Sequence, residues 1–183
     1  MKVSSKRVFD GKLVKVDVDE VVEPGDVHAT REIIRHNGSI AALPVNDDGT
    51  VILVRQYRYA ANQALWELPA GKLDGNESPE DGIQRELREE IGKRAGRLEK
   101  IAFFYTTPGF CDEVMHLYRA TGLTDDKAEA DEDERIEIGV FTLAEVEAMV
   151  ATGALREAKT LVAVLLEMDR RGKGYTPGSP RPQ

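Results

Sequence analysis

Cysteine is nearly missing from this chain: Cys111 stands alone, so no intrachain disulfide can form and nothing calls for an oxidising compartment. With no histidine close by in sequence to activate it, that thiol reads as a packing residue rather than a nucleophile. Histidine is also scarce. His28, His36 and His116 are scattered, and no Cys/His cluster has zinc spacing. No apolar run is long enough to span a membrane, and the opening MKVSSKRVFDGK lacks the apolar core of a secretion signal. No membrane partner is therefore expected, and the expected location is the cytoplasm. Positive charge is in deficit as well, with 25 Lys and Arg against 33 Asp and Glu and a formal net charge of -8. Nucleic-acid binding draws its affinity from Lys and Arg at phosphates, so no nucleic-acid partner is expected. A small anionic substrate stays open, provided metal ions supply positive charge locally.

What is present is an ordinary globular composition, 41% hydrophobic and 32% charged over 183 residues, enough to bury one sizeable core. Residues 6–22 alternate polar and apolar between turn signals at Asp10-Gly11 and Pro24-Gly25, as a pair of antiparallel strands would. Residues 27–36 supply a third. Residues 1–37 are thus expected to form a small antiparallel sheet, packed on its own domain or on a second subunit. SIAALPV (39–45) and VILVRQY (51–57) read as core strands joined by a hairpin at Asn46-Asp47-Asp48-Gly49. IAFFY (101–105), VMHLYR (114–119) and 135–141 read as further strands, and 143–150 and 156–170 as helices. The main domain is set at 38–172 and a loose Pro/Gly-rich tail at 173–183. This order of elements suggests an α/β or α+β sandwich with a mixed sheet.

The chemistry concentrates in GKLDGNESPEDGIQRELREEIGK (71–93). Ser78 is a good N-cap, Pro79 suits the first helical position, Asp81 can complete a capping interaction and Gly92 is a plausible stop. The spacing predicts a helix from about Pro79 to Ile91 with Ile83, Leu87 and Ile91 as its buried stripe. Glu86, Glu89 and Glu90 then fall at i, i+3 and i+4 on another face, where like charges cost a few tenths of a kcal/mol per pair unless compensated. A divalent cation is the natural compensation. Magnesium takes few protein ligands, mostly carboxylates, and fills its other positions with water and phosphate oxygens. The reaction this favours is metal-assisted attack of water on phosphorus.

Gly71, Glu77, Arg85-Glu86-Leu87, Glu89-Glu90 and Gly92 resemble the Nudix hydrolase signature, G-x5-E-x7-R-E-U-x-E-E-x-G-U with U aliphatic. Only Lys93 departs, standing where an aliphatic residue is usual. A chance match is on the order of one in a million or less. The resemblance implies a Nudix-type α/β/α sandwich, a requirement for Mg2+ or Mn2+, and hydrolysis of a nucleoside diphosphate linked to another moiety. It makes Glu86 and Glu90 the main metal ligands, Glu89 a further ligand or support, the Ala70 carbonyl a metal contact, and Glu77 and Arg85 orienting partners.

VRQYR (54–58), WELPAG (66–71) and TPGFCDE (107–113) further resemble the ADP-ribose pyrophosphatase branch, although Thr107 stands where Ser is usual. By that resemblance Arg58 contacts substrate phosphates and Pro108 and Gly109 belong to a substrate loop. Trp66 joins the substrate set, although on its own it reads as core. The N-terminal strands exchange within a homodimer and bring Arg31 or Arg35 to the partner's site. The acidic run at 131–134 resembles a loop that carries a catalytic glutamate, with Glu132 as the general base and Glu134 helping to hold a metal. The expected substrate is ADP-ribose or a related nucleotide sugar, yielding AMP and a sugar phosphate. GDP-mannose hydrolysis is the nearest rival, and a non-catalytic ADP-ribose sensor is the rival of another class.

Overall fold

The computed structural model describes residues 1–12, 14–126 and 136–173. Three strands come first: β1 (Lys2–Asp10), β2 (Lys15–Glu23) and β3 (Val27–Arg35). They pair antiparallel in the order β1-β2-β3 as a sheet of their own. Gly25 and Asp26 both take positive φ in the turn between β2 and β3, where Gly supplies the left-handed geometry at little steric cost.

The remainder is built on β4 (Ser39–Pro44), β5 (Val51–Arg58), β6 (Gln63–Glu67), β7 (Ala70–Lys72), α1 (Pro79–Ile91), β8 (Lys93–Tyr105), β9 (Val114–Asp125), β10 (Glu137–Phe141), α2 (Leu143–Thr152) and α3 (Ala158–Lys173). One sheet has the order β7-β4-β9-β8 and another β10-β5-β6. The first is mixed, because β4 runs parallel to β9 while its other pairings are antiparallel.

The strands are buried on both faces, and their alternation separates two cores. Ala41, Leu43, Val51, Leu53 and Leu117 pack with Val146, Leu155, Ala163 and Val164 from the α2–α3 side. Ile40, Ala42, Ile52 and Val54 pack with Ile83, Leu87 and Ile91 of α1. The result is the α/β/α sandwich. Burying each of the three α1 side chains stabilises the fold by roughly 1.5–3 kcal/mol. Among the described residues, no helix is long and apolar enough to cross a membrane.

The Asn46–Gly49 hairpin expectation is half right. The turn forms, with Asn46 N–H donating to Thr50 O at 2.9 Å and Gly49 N–H to Asn46 O at 2.9 Å. The strands it joins, however, share only the Val45–Val51 bridge and then part into different sheets. The reason is burial. Every residue of β4 and the first half of β5 is buried, so each strand needs neighbours of its own on both edges and both faces. Lys93, the departure from the box, opens β8 and reaches Asp125 at 2.6 Å, an ion pair where packing is usual.

Candidate active site

Helix α1 starts and stops as its sequence dictates. Ser78 Oγ accepts from Asp81 N–H at 3.1 Å, and Gly92 ends the helix in the left-handed region at φ 63°. That phase fixes where the carboxylates go. Glu90 is buried at 8% exposure and its Oε2 accepts from Ala70 N–H at 3.2 Å. Glu86 lies so close to Gly71 that a Cβ there would collide with its carboxylate. The loop glycine is therefore the space Glu86 occupies, and two glutamates of α1 border β7.

Arg85 is the counter-charge on this edge. It binds Glu77 at 2.9 Å, Glu86 at 2.6 Å and Glu89 at 3.2 Å, and donates to Lys72 O at 3.3 Å. Its hydrogen bond to Glu77 raises the guanidinium well above its usual value. The same bond holds the Glu77 carboxyl below the usual range. One guanidinium thus serves three close carboxylates, with Asp74 at 3.8 Å and Glu90 beyond it.

Ala70, Gly71 and Lys72 also line a cleft of about 750 Å3, together with Arg58, Thr106, Thr107, Glu113, Glu157 and Lys159. At one end a buried carboxylate gathers two cations. Glu67, 1% exposed, accepts from Arg58 Nε and Nη2, each at 2.7 Å, and from Lys159 Nζ at 2.9 Å. Burial pushes the Glu67 carboxyl up, but the hydrogen bonds and charges of Arg58 and Lys159 outweigh it and leave it below the usual range. Arg58 is raised by its Glu67 hydrogen bond, against desolvation, and the fields of Glu90 and Glu157 add to the effect. At the other end Glu113 accepts from Ser39 Oγ and, at 2.7 Å, from Thr106 Oγ1, with His36 Nδ1 at 3.8 Å.

The structure brings Arg58, Ala70, Arg85, Glu86, Glu89 and Glu90 to this edge and leaves other expected residues elsewhere. Pro108 and Gly109 sit in an exposed turn closed by Phe110 and Cys111 N–H groups on Thr107 O; Thr106 and Thr107 line the cleft in their place. Trp66 packs edge-on to Phe141 at 4.9 Å with Arg55 over its ring. Arg31 pairs with Glu23 on the N-terminal sheet at 2.8 Å, and Arg35 binds Asp17, Asp19 and Asp112. Glu132 and Glu134 lie outside the described residues. Sequence reading missed Lys159, Glu113 and His36. Glu113 carried a signal, as the acid closing TPGFCDE, whereas Lys159 carried none because it sits in an otherwise ordinary amphipathic helix.

A cation would find carboxylate oxygens here, the hard donors that magnesium and manganese prefer. Among the described residues, no three acidic, His or Cys side chains converge closely enough to hold a metal ion by themselves. An open edge of this kind suits an ion that keeps waters and substrate oxygens in its shell. The donor set fits.

A family model described as NUDIX domain matches residues 35–163. The ADP-ribose pyrophosphatase of Bacillus subtilis (strain 168) is 39% identical over 88% of this chain and 89% of its own. The methanol dehydrogenase activator of Bacillus methanolicus is 36% identical over 88% and 89%. The GDP-mannose pyrophosphatase of Yersinia enterocolitica serotype O:8 / biotype 1B (strain NCTC 13174 / 8081) is 35% identical over 82% and 84%. A solved structure described as an ADP compounds hydrolase shares the fold, with a TM-score of 0.82 at 23% identity over 96% of each chain.

Proposed function

The chain belongs to the NUDIX family, and from that premise we propose that it hydrolyses the diphosphate bond of ADP-ribose or a related nucleoside diphosphate sugar. The products are a nucleoside monophosphate and a sugar phosphate, AMP and ribose 5-phosphate from ADP-ribose. The observation that carries this reading is the meeting of an acidic helix edge and two anchored cations at one cleft. The carboxylates of α1 border Ala70 and Gly71, and the same cleft is lined by Arg58 and Lys159.

Glu86 and Glu90, with Glu89, the Ala70 carbonyl and Glu134, would hold Mg2+, with Mn2+ as the alternative ion. Such a cation polarises a phosphate and makes water a better nucleophile at neutral pH. Arg85 keeps the glutamates aimed by holding Glu77, Glu86 and Glu89 at once. Arg58 and Lys159, pinned by Glu67, bind the diphosphate and need no reorganisation to do so. Glu132 takes the proton of the attacking water, an assignment supported by its place in the acidic run alone, as is the supporting role of Glu134. We also propose a homodimer formed through the N-terminal sheet, which exposes Val3, Val8 and Phe9; light scattering tests it.

Incubation with Mg2+ and a panel of nucleotide sugars, with products identified by mass, tests the reaction. AMP and ribose 5-phosphate from ADP-ribose at the highest kcat/KM is the expected result. GDP-mannose in first place would move the assignment to that substrate, which the relative from Yersinia enterocolitica supports. Tight ADP-ribose binding without turnover would make the protein a sensor.

A further inference from the structure

The small N-terminal sheet is joined to the cleft by a compact set of contacts at Arg35. Ile34 N–H donates to Phe110 O at 2.7 Å, Asp112 N–H returns to Ile34 O at 3.1 Å, and Ile34 and Cys111 form a parallel bridge. Arg35 Nη1 lies 3.2 Å from Asp112 Oδ2, and the other Asp112 oxygen accepts from His36 N–H at 2.7 Å. The flanking residues His36, Thr106, Thr107 and Glu113 all line the cleft. The loop that lines the cleft therefore has its downstream end tied to the last residues of β3.

Arg35 is itself held from behind. Its Nε reaches Asp17 at 3.0 Å and its Nη2 binds Asp19. Both carboxylates are buried, at 7% and 4% exposure, with Arg7 and Ser5 as their other partners. The guanidinium cannot turn toward a ligand without uncovering two buried anions, which is costly. Its donors are committed to protein carboxylates, so its influence on the cleft passes through Asp112.

We propose that Arg35 and Asp112 are a positioning pair through which the N-terminal sheet sets the substrate-facing loop 106–113, rather than residues that contact substrate. This rests on the reading that the cleft takes the nucleotide sugar. The pair explains why a strand far from the acidic helix belongs to the working unit: it fixes the wall from which Thr106, Thr107 and Glu113 face the cleft.

Asp112→Asn is the sharpest probe, because Asn keeps an acceptor for His36 N–H and leaves Asp17 and Asp19 covered. Amide exchange at Phe110, Cys111 and Asp112 should accelerate about tenfold, and KM for the preferred nucleotide sugar should rise about fivefold with kcat within about twofold. Arg35→Lys should move the same parameters in the same direction, and the double variant should be no worse than the weaker single, as a shared contact requires. Multiplying effects in the double variant would overturn the pairing. So would unchanged loop exchange in Asp112→Asn. A loss in Arg35→Lys with Asp112→Asn behaving as wild type would make Arg35 a direct substrate contact instead. The exchange measurement needs no substrate, so it tests the clamp even if no nucleotide sugar is turned over.

Discussion

The two ends of the charged cleft solve opposite problems with the same residue types. On α1, one guanidinium is shared among Glu77, Glu86 and Glu89, and with Glu90 the edge keeps a surplus of negative charge. Beside α3, one buried carboxylate, Glu67, is shared between Arg58 and Lys159, and Glu157 reaches Lys159 at 3.2 Å, so the charges balance in number while both cations line the cleft. A shared counter-ion holds each cluster in place and leaves its charged groups at the cleft to act on something else. The acidic surplus suits a cation and the two anchored cations suit a phosphate, so the contrast itself points to a metal–diphosphate complex.

Breaking the negative end should have the largest effect. Glu90→Gln is expected to lower kcat by about 10³-fold or more, since about 4 kcal/mol of transition-state stabilisation is at stake, while circular dichroism stays native. Near-normal turnover would remove Glu90 from the metal set. Gly71→Ala comes next. The added methyl must displace the Glu86 carboxylate, and a ligand moved by about 1 Å costs on the order of 10²-fold. Because only a side-chain end has to shift, the melting temperature should hardly change; a large drop in Tm would mean that Gly71 serves the backbone instead.

The Arg58–Lys159 end should yield smaller changes in turnover and larger ones in stability. Glu67→Gln leaves Lys159 and Arg58 without their buried partner and should destabilise the protein by about 3 kcal/mol in urea titrations, somewhat less because Arg58 is partly exposed. Lys159→Met should raise KM about tenfold, one phosphate contact's worth, and flatten its salt dependence; an unchanged KM would leave Arg58 as the sole anion contact.

The smallest effect is on pH. Glu67 and Glu77 both have folded-state values lowered from their ordinary 4.5. Their contributions are therefore fully present above about pH 4.5 and are lost as pH falls through the lowered folded values. Wild type should lose stability progressively in that acid window, and Glu67→Gln should lose less. Parallel acid titrations of the two proteins would show otherwise only if Glu67 is not ionised in the folded state.

Legibility followed the range of the interactions. Helix α1 was readable to the residue, because capping by Ser78, the Ile83–Leu87–Ile91 stripe and the stop at Gly92 all act within a few residues. The grouping of Glu86, Glu89 and Glu90 on one side follows from helix geometry, whereas the approach of Glu86 to Gly71 is decided by how α1 packs beside β7. The parting of β4 and β5 was not readable, because a good turn specifies only its own four residues. Likewise Trp66 went to the core against Phe141, a contact set by the pairing of β10 beside β5, and Arg35 turned to Asp17, Asp19 and Asp112.

By itself the sequence determined the family box, the acidic helix edge, the hydrolytic chemistry they favour and which strands form the core, since each depends on local spacing or composition. The tertiary structure alone decided that Lys159 meets Glu67 across 92 residues of chain, that Glu113 faces the same cleft, and that the N-terminal sheet grips the loop opposite. Those contacts depend on which layers pack together, and a side chain's partner across a sandwich is set by the fold of everything between them.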